Sequence, residues 1–388
     1  MDLNALLRRA VDLGASDIHL KLDQPPMLRR DGAIGPLEEC PPLREPDLLS
    51  ALETVTRLAP ERLKLFHESG DLDIAYTAEG LPRFRVNAFR QRGAISFALR
   101  VIPKDVPGFE QLNLPAGVKR LADEHRGLVL ATGATGSGKT TTLASMLDHI
   151  NRTRSSHIVT IEDPIEILHQ DRMSIVNQRE VGIDTESFGQ ALRRVLRQDP
   201  DTILIGELRD AETAQIALQA AESGHLVFST LHTIDAAESV GRMIEFFPPA
   251  KQQQIRSVLA GVLRGVVSQR LLPRIGGGRI AAVEVMVMNA RISDLIREQR
   301  TEEIADAVAD GAFFQMQTFE QALIAHVLAG TVERDVAAAA ATNHHDFLVA
   351  LDHAAKLQNH ETAQVQAAAE TAAAEEPALR VVRPAAGA

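Results

Sequence analysis

The chain has 388 residues, 45% of them hydrophobic, a single cysteine and a formal net charge of −11 with a pI near 5.7. That length suits two domains plus extras, and the acidic balance argues against a general nucleic-acid or anionic-membrane binder. Cys40 alone excludes an internal disulfide or a cysteine zinc site, and with no run of about 18 apolar residues the expectation is a cytoplasmic protein that reaches the inner face of the membrane only through partners.

Residues 1–102 read as a small α+β domain. Leu3, Leu6, Leu7, Ala10, Val11 and Leu13 give a first helix one apolar face. Asp17 to Leu22 alternates as a strand; a proline-rich stretch and one helix from about Glu45 to Glu68 follow. Arg83 to Phe89 sets Phe84, Val86 and Ala88 against Arg83, Arg85 and Asn87, and Ala94 to Ile102 turns Ile95, Phe97, Leu99 and Val101 inward. Gln91 to Gly93 makes the turn, so a packed hairpin projects arginines, Arg100 among them.

Residues 103–115, rich in proline, read as a linker. Residues 116–355 then alternate buried strands with helices, the pattern of a parallel α/β sheet. Strands are expected at Leu128 to Thr132, His157 to Ile161, Thr202 to Ile205, Leu226 to Thr230 and Ile280 to Met288, with a helix at Ser187 to Gln198. From Ala250 onward the pattern is largely helical, interrupted by a flexible turn at Gly276 to Gly278. Residues 356–388 are Ala/Glu-rich and read as a disordered tail.

The most specific stretch is Leu128 to Thr142, LVLATGATGSGKTTT. A triphosphate needs several donors converging on a small volume, and backbone N–H groups at a helix start supply them where side chains stay clear. Gly133, Gly136 and Gly138 clear that space between Ala134, Thr135, Ser137 and Thr141. Lys139 would face the β- and γ-phosphates of ATP, and the Thr140 hydroxyl would ligate Mg²⁺.

Two acidic strand ends follow. TIEDPIE at 160–166 brings out Glu162, Asp163 and Glu166, groups able to orient water or hold Mg²⁺ through its hydration shell; a solvated acidic loop is the plain alternative. TILIGE ends a further strand at Glu207, the Walker B arrangement with glutamate in place of aspartate and a second candidate for the metal. His225 and His232 flank another strand, either as γ-phosphate contacts or as structural histidines. The hairpin arginines admit three readings: a solvated face, a nucleic-acid patch, or fingers touching ATP held by a neighbouring subunit.

In this order the motifs resemble the bacterial secretion and pilus motor ATPases, and within them the type IV pilus retraction ATPases of the PilT and PilU type. GASDIHL at 14–20, FRVNAFRQR at 84–92, the phosphate loop, TIEDPIE, VNQREVG at 176–182, ALRRVLRQDPDTILIGELRD at 191–210 and GHLVFSTLHT at 224–233 carry the resemblance. It implies a PAS-like N-terminal domain, a RecA-like ATPase domain and a homo-hexamer with ATP between subunits. By motif, Glu166 is the favoured base, Glu207 supports the metal, Arg85 and Arg100 match the arginines presented across the interface, and His225 and His232 fall in the histidine box. SQRL at 268–271 lacks the adjoining tetracysteine module of assembly and type II secretion ATPases, which points toward retraction. The partners implied are an inner-membrane pilus platform protein and a paralogous retraction ATPase, with no nucleic acid. An assembly or secretion ATPase and a low-turnover nucleotide-binding regulator are the alternatives.

Overall fold

A computed structural model describes residues 1–30, 32–38, 40–102 and 105–358, so the expected disordered tail lies outside the described residues from 359 onward. Helix α1 (Leu3–Asp12) begins where the Asp2 carboxylate accepts the Ala5 N–H at 3.1 Å, and it buries Leu3, Leu6, Leu7 and Ala10. Strands β1 (Asp17–Lys21), β2 (Met27–Arg30) and β3 (Ala33–Pro36) follow. The single helix expected from Glu45 to Glu68 is in fact two, α2 (Glu45–Thr56) and α3 (Pro60–Ser69). Proline lacks an N–H and its ring clashes with the carbonyl four residues back, so Pro60 can start a helix but not continue one.

With β4 (Asp71–Tyr76), β5 (Phe84–Gln91) and β6 (Ala94–Val101), the N-terminal strands form a six-stranded antiparallel sheet in the order β3-β2-β1-β6-β5-β4. Phe84, Val86 and Ala88 of β5 and Ile95, Phe97 and Leu99 of β6 are buried with Leu7, Leu48 and Leu52 in one core; Val101 stays partly exposed. The opposite face of the hairpin therefore has to be polar. Arg85 and Arg100 are direct cross-strand partners on it.

The second unit runs through α4 (Ala116–Ala122), β7 (Gly127–Thr132), α5 (Lys139–Thr153), β8 (His157–Glu162), β9 (Ile175–Glu180), α6 (Phe188–Val195) and β10 (Thr202–Ile205). It continues with α7 (Ala211–Glu222), β11 (Leu226–Leu231), α8 (Ala236–Glu245), β12 (Leu263–Pro273) and β13 (Arg279–Val287). The seven-stranded sheet has the order β13-β12-β7-β11-β10-β8-β9, parallel except for β13.

Two of these strands depart from expectation. The stretch after Ala250 is largely helical as expected, with helices at Pro249–Val262, Ala290–Arg297, Ile304–Ala309, Phe319–Leu328 and Arg334–Ala340, but β12 is not anticipated by that pattern: it is an 11-residue strand paired with both β7 and β13, and being buried on both faces it lacks the alternation that reveals a half-exposed strand. β9 is an edge strand whose polar residues hid it. The expected linker is also not free chain, since Phe109 and Leu114 pack against the second core.

Candidate active site

In a parallel sheet the carboxyl ends of the strands share one edge, where ligands bind. Here that edge carries the phosphate loop after β7, the acidic loop after β8, Glu207 after β10 and His232 after β11. The edge is tied together: Gly206 donates its N–H to the Ile161 carbonyl at 2.8 Å, and the Thr230 hydroxyl donates to the Gly206 carbonyl at 2.7 Å. These groups surround a cleft of about 710 Å³, within the range of small-molecule sites.

The phosphate loop fits an anion. Gly133, Gly136 and Gly138 have φ of 137°, 79° and 95°, and a Cβ at Gly133 would lie 2.4 Å from the Gln269 carbonyl oxygen. The loop therefore closes against β12 and opens its other side to the cleft, where Thr135, Gly136, Gly138, Lys139, Thr140 and Thr141 are presented. Lys139 Nζ donates to the carbonyls of Gly133 at 2.7 Å and Ala134 at 3.0 Å. Burial holds its pKa below the ordinary lysine value, opposed in part by the charge of Glu166. Ser137 Oγ is buried without a hydrogen-bond partner among the described residues. A desolvated cation held only by backbone carbonyls at the start of α5 is the environment that a phosphate would satisfy.

The carboxylates differ in their surroundings. Glu166 is exposed at the cleft. Glu207 is mostly buried, ion-paired to Arg209, and its Oε2 lies 3.3 Å from His232 Nε2. Burial, reinforced by the positive charges of Lys139 and Arg209, lowers the pKa of His232, so its imidazole is neutral at physiological pH.

Glu162 faces inward, accepting the Thr160 hydroxyl at 2.6 Å, the Gln178 amide at 3.1 Å and the Glu166 backbone N–H. Burial, reinforced by the neighbouring Glu166 carboxylate and opposed by those hydrogen bonds, pushes its pKa up from 4.5 to about 7. Folded protein thus holds a proton that the unfolded chain releases between those two values, and stability falls as pH rises through that window. Glu162→Gln removes this dependence. The difference in melting temperature between variant and parent is expected to be smallest at pH 4, below the unfolded value of 4.5, and to grow in the variant's favour up to pH 8; a difference that is the same at both pH values would refute the assignment.

His225 is not part of this group. It precedes the first residue of β11, roughly 20 Å from the carboxyl end at about 3.3 Å per residue, and its Nδ1 lies 3.0 Å from the Ala220 carbonyl oxygen. That makes it a helix-end contact of α7, with no phosphate contact in its own chain. Arg90 is likewise structural, stacked 5.5 Å over the Phe66 ring.

The sequence leaves three readings open for the hairpin arginines; in the structure Arg100 lines the cleft of its own chain, although the family resemblance implies arginines presented across a subunit interface. The cause is the docking of the N-terminal sheet, through Arg83 on Glu180 and Arg62 on the Gly182 carbonyl. Like charges directly opposite in adjacent strands are destabilising, and each arginine has an acid beside it: Asp17 at 2.9 Å from Arg100 and Asp73 at 3.9 Å from Arg85. Arg85 lines the adjoining cavity with Asp163 and Pro164. Gln178, Glu180, Arg209 and Gln269 carry no signal of their own in the sequence; the first two lie in the unbroken polar run Asn177 to Glu180, which has no alternation to mark a strand.

Comparison with known proteins places the chain. A family model described as type II/IV secretion system protein matches residues 77–276. The type IV pilus retraction ATPase PilT of Pseudomonas aeruginosa is 44% identical over 86% of this chain and 96% of its own length. The type IV pilus ATPase PilU of the same organism is 39% identical over 89% of this chain and 90% of its own. A crystal structure of the pilus retraction motor PilT with bound ADP superposes with a TM-score of 0.83 at 44% identity, covering 89% of this chain and 98% of that one. The α/β sheet with its phosphate loop is accordingly of RecA-like type, and the chain belongs to the type II/IV secretion system protein family.

Proposed function

We propose that this protein is a hexameric motor ATPase that hydrolyses ATP to drive type IV pilus retraction, the disassembly of the fibre that powers twitching motility. The observation that carries the reading is the convergence of the phosphate loop, Glu166, Glu207 and Arg100 on one cleft, in a chain that spans nearly all of a pilus retraction ATPase. Residues 1–102 form the PAS-like unit, 103–115 a connection, and 116–355 the ATPase unit.

Within the cleft, loop N–H groups and Lys139 hold the phosphates, and Arg100 faces the charge that develops as the terminal phosphoryl group leaves. The Thr140 hydroxyl and the Glu207 carboxylate, both lining the cleft, would hold Mg²⁺, an ion that needs only one or two protein ligands beside phosphate and water. When bound, the ion supplies charge neutralisation at the β- and γ-phosphates. Glu166, the exposed carboxylate, orients and deprotonates the attacking water. His232, neutral and hydrogen-bonded to Glu207, reads the state of the metal side of the cleft. Partners on this reading are five further copies of the chain, an inner-membrane platform protein at the cytoplasmic face and a paralogous retraction ATPase.

The test is deletion of the gene with pilus counting and retraction imaging. Pili are expected to accumulate and retraction to stop; the parent gene restores both and Glu166→Gln does not, having lost roughly 10²- to 10⁴-fold in turnover as a general base. Loss of pili on deletion would instead indicate an assembly or secretion ATPase.

A further inference from the structure

β9 (Ile175–Glu180) presents Gln178 and Glu180 to the same side, and both bind the loop that carries Glu166. Gln178 Nε2 donates to the Ile167 carbonyl at 2.9 Å and to Glu162 Oε1 at 3.1 Å, while its Oε1 accepts the His169 N–H at 2.7 Å. Glu180 Oε2 accepts the N–H of Ile165, the residue before Glu166, at 3.1 Å. The acidic loop thus takes its course from side chains of the edge strand.

The same Glu180 oxygen is ion-paired to Arg83, on the far side of the interface between the two sheets. The Glu180 side chain is 5% exposed and that of Arg83 17%, and Arg83 Nε is buried without a partner among the described residues. Glu180 is therefore what holds this guanidinium. Arg83 stands one residue before β5, and its carbonyl accepts the Ile102 N–H at 2.8 Å, so it fixes the root of both strands that carry Arg85 and Arg100. Glu180 cannot drift to accommodate a displaced partner, because its own N–H donates to Asp184 Oδ2 at 2.8 Å and the next N–H, of Val181, donates to the Glu162 carbonyl at 2.9 Å.

We infer that Glu180 is a positioning residue for hydrolysis: one carboxylate oxygen holds both the acidic loop beside Glu166 and Arg83 of the arginine hairpin, so that Glu166 is in place only while the N-terminal sheet is docked. The inference rests on the proposal that this cleft hydrolyses ATP. It goes further in making base placement conditional on domain docking, so that each cycle of sheet movement would switch the water-activating group as well as the arginines.

The test measures phosphate release, nucleotide affinity and melting temperature in the full-length assembled protein carrying Arg83→Ala, Glu180→Ala, or both. A displacement of about 1 Å at a reacting group can cost on the order of 100-fold, so each single variant is expected to lower kcat by roughly 10- to 100-fold while ADP affinity stays within about twofold of the parent. The double variant should fall no further than the worse single one, because both cut the same connection. Glu180→Gln keeps an acceptor for the Ile165 N–H and lacks the charge for Arg83, and it should match Arg83→Ala; it also serves if Glu180→Ala does not assemble. Parent-level kcat in Arg83→Ala and Glu180→Gln, or losses that multiply in the double variant, overturns the inference. A parent protein that releases no phosphate at all would instead defeat the ATPase reading beneath it.

Discussion

Lys139→Ala is expected to reduce phosphate release to background while leaving the fold and the assembly intact. The ammonium is buried against the carbonyls of Gly133 and Ala134, and no acidic side chain among the described residues closes on it as an ion pair. A cation held in this way lowers stability, since burial disfavours its charged form, and its removal should leave the melting temperature unchanged or raised. What the variant loses is the charge aimed at the phosphates. The measurement is steady-state phosphate release together with a melting curve. A protein whose bound ATP acted only as a switch would release little phosphate in the parent as well, so a clear parent rate that disappears in Lys139→Ala excludes a low-turnover regulator.

The fold was legible where local chemistry is self-contained. Gly133 to Thr140 could be placed from sequence because its glycines adopt φ that other residues avoid and its lysine and threonine stand at fixed offsets. β5 and β6 were legible because one face packs and the other is wet, and the resulting alternation is visible residue by residue. β12 was not, because a strand covered on both faces does not alternate.

The site divides along the same line. Glu166, Glu207 and Lys139 are each announced by neighbours in sequence. Glu180 lies 97 positions from Arg83, and only the folded sheets reveal that they meet. For His225 the sequence leaves both a phosphate contact and a structural role open, because seven positions separate it from His232 in the chain, and only the extended strand between them puts the two at opposite ends of the sheet.

Arg100→Ala is expected to lower turnover by roughly 10³- to 10⁵-fold if its guanidinium meets the developing charge, with Arg85→Ala the smaller of the two losses because Arg85 lines the neighbouring cavity. The two arginines lie side by side in β5 and β6, where their mutual repulsion is relieved by Asp73 and Asp17, both on the same sheet. An anion arriving in the cleft would compete with Asp17 for Arg100. Which chain supplies the arginine is separable by mixing subunits. If Arg100 served a neighbour, rings assembled from Lys139→Ala and Arg100→Ala chains would recover activity at every boundary where an intact phosphate loop met an intact arginine. The docked sheet puts Arg100 on the cleft that the loop of its own chain lines, so the mixture is expected to stay as inactive as either variant alone. Recovery of phosphate release in the mixed rings would place the arginine in trans and require the N-terminal sheet to leave the position that Arg83 and Glu180 give it.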